Sequence, residues 1–396
     1  MSDQEIRLGV IGIGNMGSAH AKNVAVKHEV PGLQVTAVAD VRPERLQWAR
    51  ETLGEDVALF DNAEKMLDSG LIDACLVAVP HYDHPKYVIE CLRRGIHVMC
   101  EKPAGVYTKQ VRVMNEEAAK HPGIVFGMMF NQRTNHIYRK MKELVESGKY
   151  GQIRRTNWLI TNWYRPQVYY DSGDWRATWA GEGGGVLLNQ CPHQLDLWQW
   201  ICGMPKRVTA HMLYGKWHVI EVEDEVTCYV EYENGATGVF ITTTGDPHGS
   251  NRFEIQMDRA QLIAEGNQLK LYELDVPEPE YSRISTNPFG APNATEIQVR
   301  TDGENLQHIG VLRAFRDAIL GKGNLVARGE EGLRGLTLSN AMHLSSWLGR
   351  TVEIPFDEDL FYDELMKRVA SSKKKTPVRE ITADTSESYA GTRKKG

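Results

Sequence analysis

Long apolar runs are missing from this sequence. No stretch approaches the roughly 20 residues needed to cross a bilayer as a helix. Met1 to Arg7 is polar and leads straight into a candidate strand, so neither a membrane span nor a signal peptide is expected. Charge of one sign is also scarce. A formal net charge of −6 over 396 residues gives no field that would gather nucleic acid or an anionic membrane. Cysteine is sparse: Cys75, Cys91, Cys100, Cys191, Cys202 and Cys228 show neither C-x-x-C pairs nor zinc-type Cys/His spacing, and several lie inside apolar runs. Buried thiols in a reducing compartment are expected, hence a cytoplasmic protein with no metal site. Internal repeats are absent.

What is present is an ordinary soluble balance, 41% hydrophobic and 25% charged, in a chain too long for one core. The first part alternates short apolar strands with helical stretches. Strands are expected at Ile6–Ile13, Leu33–Ala39, Ala74–Val79, His97–Cys100 and Ile124–Met129. Helices are expected at Asn15–Lys27, Pro43–Leu53, His84–Arg94 and Lys109–Lys120. This βαβ alternation means a doubly wound parallel sheet, a Rossmann domain over 1–130. After a helix at Asn135–Glu146 the strands lengthen, from Ile153–Trp163 to Gln268–Glu273. Tight-turn chemistry appears at Asn234-Gly235 and Gly266-Asn267. An α+β domain over 131–356 with a large, mostly antiparallel open sheet follows, with Val186–Ile201 as a helix on one face and late helices at Leu306–Leu320 and Gly329–Leu348. Pro277–Thr301 reads as a long loop. Residues 357–396 read as a helix and then a polar, flexible tail from about Ser371.

Gly12, Gly14 and Gly17 form G-x-G-x-x-G directly between a strand and a helix. The first glycine allows the tight turn, the second a close backbone approach to a pyrophosphate, and the third close helix–strand packing. The helix N-terminus offers N–H groups to the anion. Asn15 and Met16 lie inside this turn. Asp40 ends the second strand, where it can accept hydrogen bonds from ribose hydroxyls and repel a 2′-phosphate, which favours NAD over NADP. Arg42 opposes that preference if it meets a 2′-phosphate, although an exposed arginine is the commoner meaning of such a position. Val79, Pro80, His84, Glu101, Asn131 and Arg176 are further candidate cofactor contacts.

Glu101-Lys102-Pro103 follows the strand His97–Cys100, and open α/β sheets bind ligands beyond the carboxyl ends of their strands. Gly12–His20, Asp40, this tripeptide and Gly183-Gly184-Gly185 leading to His193 occur in the order that resembles the Gfo/Idh/MocA oxidoreductases, over about residues 6–356. The resemblance implies NAD-dependent hydride transfer to or from a secondary ring hydroxyl of a sugar, glycoside or cyclitol. It also implies a catalytic Lys102, a cis Lys102–Pro103 bond, and a proton-accepting His193 paired with the residue four before it. That residue is usually aspartate in the family and is Asn189 here. Asparagine can orient a histidine but supplies no charge, so Lys102 takes a larger share of the proton transfer, or the enzyme works chiefly as a reductase. Asp196 is either a supporting partner of His193 or a plain polar helix residue, and Cys191 is expected to pack.

Asn162–Pro166 and Gly173–Arg176 are rich in aromatic and basic residues, the chemistry of a carbohydrate pocket. Tyr164, Trp175, Arg176 and Arg133 join Lys102, Asn189 and His193 as candidate substrate contacts. The resemblance also implies a homodimer or homotetramer built through the C-terminal sheet. Two alternatives stay open: a glycosidase that oxidises a ring hydroxyl transiently with bound NAD, and a non-enzymatic dinucleotide sensor.

Overall fold

The protein is described by a computed structural model covering residues 5–373 and 375. The first domain runs β1 (Ile6–Ile11), α1 (Asn15–Ala25), β2 (Leu33–Ala39), α2 (Pro43–Leu53), β3 (Ala58–Phe60), α3 (Ala63–Leu67), β4 (Ala74–Val77), α4 (His84–Arg93), β5 (His97–Cys100), α5 (Thr108–Lys120) and β6 (Phe126–Met128). All pairings are parallel and the strand order is β3-β2-β1-β4-β5-β6, the doubly wound order of a dinucleotide domain. The central strand β4 is buried throughout, as a strand covered by helices on both faces must be. Neither β3 nor α3 is expected from the sequence. The strand is too short to show a period, and the five-residue helix owes its start to Asn62, whose side chain accepts from the Lys65 N–H at 2.9 Å.

The second domain runs α6 (His136–Glu146), β7 (Ile153–Ile160), α7 (Gln167–Asp171), α8 (Pro192–Cys202), β8 (Arg207–Tyr214), β9 (Glu223–Glu231), β10 (Thr237–Thr243), β11 (Asn251–Met257), β12 (Ala260–Glu265), β13 (Gln268–Leu274), α9 (Glu278–Ile284), β14 (Ala294–Gln298), α10 (Gln307–Ile319), α11 (Gly332–Leu348), β15 (Val352–Glu353) and α12 (Glu358–Ser371). Its nine strands are ordered β14-β13-β12-β11-β7-β10-β9-β8-β15, antiparallel except for the β7–β10 pair. Val226, Cys228 and Val230 of β9 face inward and Thr227 and Tyr229 outward, the alternation of a sheet with one covered face. On the covered face Trp158 stacks on Phe253 at 4.2 Å, and Trp198 of α8 stacks on Phe240 at 5.5 Å. Each such ring contributes roughly 1.5–3 kcal/mol by leaving water.

Two sequence expectations are corrected here. Residues 277–301 are not a bare loop: they hold α9 and the edge strand β14, which pairs with β13. The strand escapes detection because all five of its residues are exposed, so no apolar alternation marks it. The helix expected from Val186 starts only at Pro192, which lacks the N–H a continuing helix needs. Residues 186–191 are wound as turns instead, and the Glu223 carboxylate pins them by accepting the Gly185 and Leu187 N–H groups at 2.9 and 3.0 Å.

The two halves are laced together. Val311, Leu312 and Phe315 of α10 return to the Rossmann core beside Leu8 and Val10. Asn340 of α11 accepts the Thr108 N–H and donates to the Val106 carbonyl, each at 3.0 Å. Phe361 of α12 stacks on Trp347 at 5.3 Å, while Lys109 and Arg112 of α5 pair with Asp359 and Glu358. Most of the flexible tail expected from the sequence lies outside the described residues.

Candidate active site

The glycine turn has the shape that its motif demands. Gly12 sits at φ +82, and a Cβ on Gly17 would lie 1.9 Å from the Gly12 carbonyl oxygen. The first position needs left-handed backbone and the third needs the absence of a side chain. Helix α1 starts at Asn15 with no side-chain cap and no acidic residue in its first turn, which leaves its N-terminal N–H groups and positive dipole end open to an anion. Asp40 reaches this turn: its Oδ2 accepts the Ile13 N–H at 2.9 Å. Its Oδ1 accepts from the Arg42 N–H at 3.0 Å and Nε at 3.2 Å. Arg42 is thus a neutralising lid on the carboxylate. Val79 flanks the turn, with Cγ1 3.1 Å from where a Gly12 Cβ would be.

The second wall is the Glu101-Lys102-Pro103 turn at the end of β5. The Lys102–Pro103 bond is cis. His84 fastens this turn, its Nδ1 2.6 Å from the Pro103 carbonyl and its Nε2 2.8 Å from that of Val79. Glu101 points inward to His20 at 2.6 Å and accepts the Lys102 N–H at 3.1 Å. Burial would raise its carboxyl, but the His20 bond and charge outweigh burial and hold it down at about 2. The sequence suggests His84 and Glu101 as cofactor contacts. Both side chains are buried with their polar atoms engaged by protein, so they shape the turn from behind. The His308 ring meets His20 edge-on at 5.1 Å.

Half-buried Lys102 crosses to the second domain, where its Nζ donates to the Asn189 carbonyl at 2.8 Å. Burial lowers its pKa; Glu101 and Glu182 oppose, and Arg176 and Arg165 push the same way as burial. The Asn189 amide donates to Glu182, and its Oδ1 accepts from the Tyr169 hydroxyl at 3.1 Å and from Gln190 at 3.3 Å. Arg176 donates to that hydroxyl at 3.1 Å and lies over the Tyr169 and Trp175 rings. The Trp175 ring also meets His81 edge-on at 5.6 Å. Tyr164 stands half-buried on the same segment, its carbonyl accepting from Arg165 at 3.0 Å. His193 sits behind, 3% exposed, with the Phe130 ring edge-on at 6.3 Å. Burial, then the Lys102 charge, holds its pKa well below the ordinary value, so it is neutral at pH 7. Cys191 packs as expected, its thiol pushed up to about 12 by burial.

Arg133 is the clear departure, and Asp196 is its partner rather than that of His193. The sequence places Arg133 among the substrate contacts, but its guanidinium is clamped bidentately by Asp196 at 2.7 Å and 2.7 Å and meets Glu331 at 2.8 Å, 3% exposed. That triad is a tie between the start of the second domain, α8 and the turn before α11. The Gly183–Gly185 run likewise packs on protein: a Cβ at Gly185 would lie 2.0 Å from the Glu223 carbonyl. Buried Asn131 donates to Gln307 and has no hydrogen-bond partner for its Oδ1 among the described residues. Sequence reasoning missed Tyr169, His81 and Glu182. Glu182 carried one legible signal, an acidic residue set directly before the glycine run.

A parallel dinucleotide sheet whose Lys102 meets Asn189, beside His193, in a second, sheet-based domain defines a two-domain nicotinamide-dependent oxidoreductase. The chain belongs to the Gfo/Idh/MocA family: residues 6–128 match its oxidoreductase family NAD-binding Rossmann fold and residues 138–263 its C-terminal domain. It is similar to myo-inositol 2-dehydrogenase of Thermotoga maritima, 28% identical over 267 residues that cover 66% of this chain and 75% of that one. It is also similar to D-glucoside 3-dehydrogenase of Escherichia coli, 24% identical over 372 residues covering 89% and 99%. Among solved structures, the WlbA dehydrogenase of Chromobacterium violaceum in complex with NADH and UDP-GlcNAcA superposes with a TM-score of 0.77 at 26% identity, over 90% of this chain and 98% of that one.

Proposed function

We propose that this protein is an NAD-dependent dehydrogenase or reductase acting on a secondary ring hydroxyl of a sugar, glycoside or cyclitol. The observation that carries this is the Lys102–Asn189 bond, which closes the second domain over the carboxyl end of β5. The turn of Gly12, Gly14, Asn15, Met16 and Gly17 would hold the pyrophosphate, and Asp40 the adenosine ribose. Val79, Pro80 and Asn131 would flank the remainder, the last with a buried acceptor to offer. The nicotinamide, when bound, supplies the two-electron acceptor or donor for the carbinol carbon. Lys102, its pKa lowered by burial, orients the hydroxyl and exchanges its proton. His193, neutral at pH 7, is a second acceptor set behind it. Trp175 and Tyr164 offer ring faces to sugar C–H groups, and Arg176 offers N–H donors to sugar hydroxyl oxygens.

Six thiols without a disulfide support a reducing, cytoplasmic setting, and no helix is long and apolar enough to cross a membrane among the described residues. The open face of the nine-stranded sheet supports a homodimer or homotetramer. A panel of sugars, glycosides and inositols with NAD, followed by absorbance of the reduced cofactor, tests the function. Absence of cofactor turnover in both directions across the panel would sink it.

A further inference from the structure

Resting on the function proposed above, we propose that Glu182 is the acidic member of the proton-transfer group, a positioning residue whose carboxylate acts on Lys102 through Asn189. Glu182 is 2% exposed, and among the described residues it forms no ion pair within 4 Å. A buried carboxylate without an ion pair is costly, and folds keep one where its charge has a task. What holds it is built for it. One oxygen accepts from the Asn189 amide, and the other accepts the Ala177 N–H at 2.5 Å. Ala177 stands at φ +55, the left-handed region that a non-glycine residue enters only when its surroundings demand it. The Glu182 and Gly183 N–H groups both return to the Thr178 carbonyl, at 2.9 and 3.1 Å, so residues 177–183 fold as one turn around the carboxylate.

The other end of the relay is equally fixed. Asn189 presents its amide to Glu182 and its backbone carbonyl to Lys102 Nζ, so a single residue bridges acid and ammonium. The remaining acceptor of Asn189 is occupied by Tyr169 and Gln190, which prevents its amide from flipping away. The acids around Lys102 are Glu101 and Glu182, and the cations are Arg165 and Arg176. Glu101 is held by His20 and reaches Lys102 through its own neighbouring backbone, whereas Glu182 is joined to the Lys102 ammonium through Asn189. His81, His84, His193 and His308 also feel the Lys102 charge, and burial lowers the pKa of each. Burial raises the Glu182 carboxyl and Glu223 adds to this, while Arg176 and the hydrogen bonds from Ala177 and Asn189 favour its charged form; Lys375 and Tyr170 stand at the outer edge. The charge that an asparagine at 189 cannot supply thus comes from seven residues upstream.

The test uses the full chain with ε-13C-labelled lysine. The Lys102 resonance is titrated in the free protein, and the pH profile of kcat is recorded with NAD and the best substrate of the panel. In Glu182→Gln the Lys102 titration is expected to move to lower pH by about one unit or more. The limb of the kcat profile that follows Lys102 should move with it, while KM for NAD stays unchanged. The paired exchange Asn189→Asp with Glu182→Gln guards against a folding defect. In that double variant the introduced amide would donate to the introduced carboxylate and still accept the Ala177 N–H. The carboxylate in turn would still accept from Tyr169 and Gln190, so every bond survives with the charge moved along the relay. The double variant should return both titration and limb toward the parent. A Lys102 titration and kcat limb unmoved in Glu182→Gln, with only the melting temperature changed, would overturn the proposal and leave Glu182 a tie for its turn. A shifted titration in a protein that turns over nothing on the panel would instead overturn the proposed function and leave the Glu182–Lys102 coupling standing.

Discussion

At the scale of single residues the site divides into groups that face the ligand and groups that hold those groups in place. Lys102→Ala and His193→Ala are expected to lower turnover by about 10²–10⁴-fold, the usual contribution of a general acid or base. NAD affinity, measured by calorimetry, should stay nearly intact because the glycine turn is untouched. The Lys102 change should cost more, since His193 is the more deeply buried of the two, at 3% exposed; equal losses would mean that the substrate reaches the histidine directly. Cofactor choice is a second matter for residues. In the role proposed for it, Asp40 would exclude a 2′-phosphate only to the extent that its charge is bare, and Arg42 pairs with it at 3.2 Å. Arg42→Ala should therefore widen the preference for NAD over NADP. Asp40→Ala should weaken NAD by roughly tenfold or more, the worth of a charge-assisted hydrogen bond. Tighter NADP than NAD binding in the parent protein would refute the role given to Asp40.

At the scale of elements the buried triad of Arg133, Asp196 and Glu331 sets how α8 meets the start of the second domain. Arg133→Leu leaves Asp196 buried without its bidentate partner and should cost about 3–5 kcal/mol in denaturant unfolding. The sign of its pH dependence is fixed. Burial already raises the Asp196 carboxyl, with Arg133 opposing, so removing the arginine lifts the folded-state pKa further above the unfolded one. The penalty is then full at neutral pH and shrinks as pH falls through that raised pKa, where the buried acid becomes neutral. A penalty that stays constant from pH 8 to 5 would show that packing, not charge, is at stake. This triad also marks the limit of what the sequence makes legible. The Rossmann elements other than β3 and α3 are legible because each carries its own apolar period, and the glycine turn and Asp40 fall within one βαβ unit. Lys102 is legible only through the family resemblance, since a lysine after a strand is by itself more often a surface residue. Partners such as Arg133–Asp196, 63 residues apart, carry no local sign of each other, so the arginine reads as a ligand contact. Asn189 and His193 look like one helix face, because the pinning of 186–191 by Glu223 comes from another strand.

At the scale of the whole molecule one surface stands apart, the outer face of the nine-stranded sheet. Strands lie about 4.8 Å apart, so the face spans roughly 40 Å. That is ample for the ~800 Å² per partner of a stable interface. Its middle is apolar where the register brings side chains together. Ile241 of β10 lies beside Leu159 of β7, and Val239 lies across from Tyr229 of β9. Leu159 and Tyr229 are 37% and 42% exposed, and Ile241 and Val239 are half-buried among them. Arg155, Arg252 and Glu254 border this patch, which gives the apolar centre and polar rim of a protein interface. The face is isologous if two copies meet about a two-fold axis through β10, so one substitution strikes both sides. Ile241→Arg would then place two guanidinium groups near the axis, where they repel each other. Sedimentation at micromolar concentration should find the parent as a dimer or a multiple of it, and Ile241→Arg shifted toward the mass of one chain with its circular dichroism unchanged. The α8 face of β10 is untouched by that change, because Phe240 and Thr242 point inward while Ile241 points out, so turnover per chain should survive wherever the site is complete within one copy. A parent protein that sediments as a single chain would refute assembly through this face.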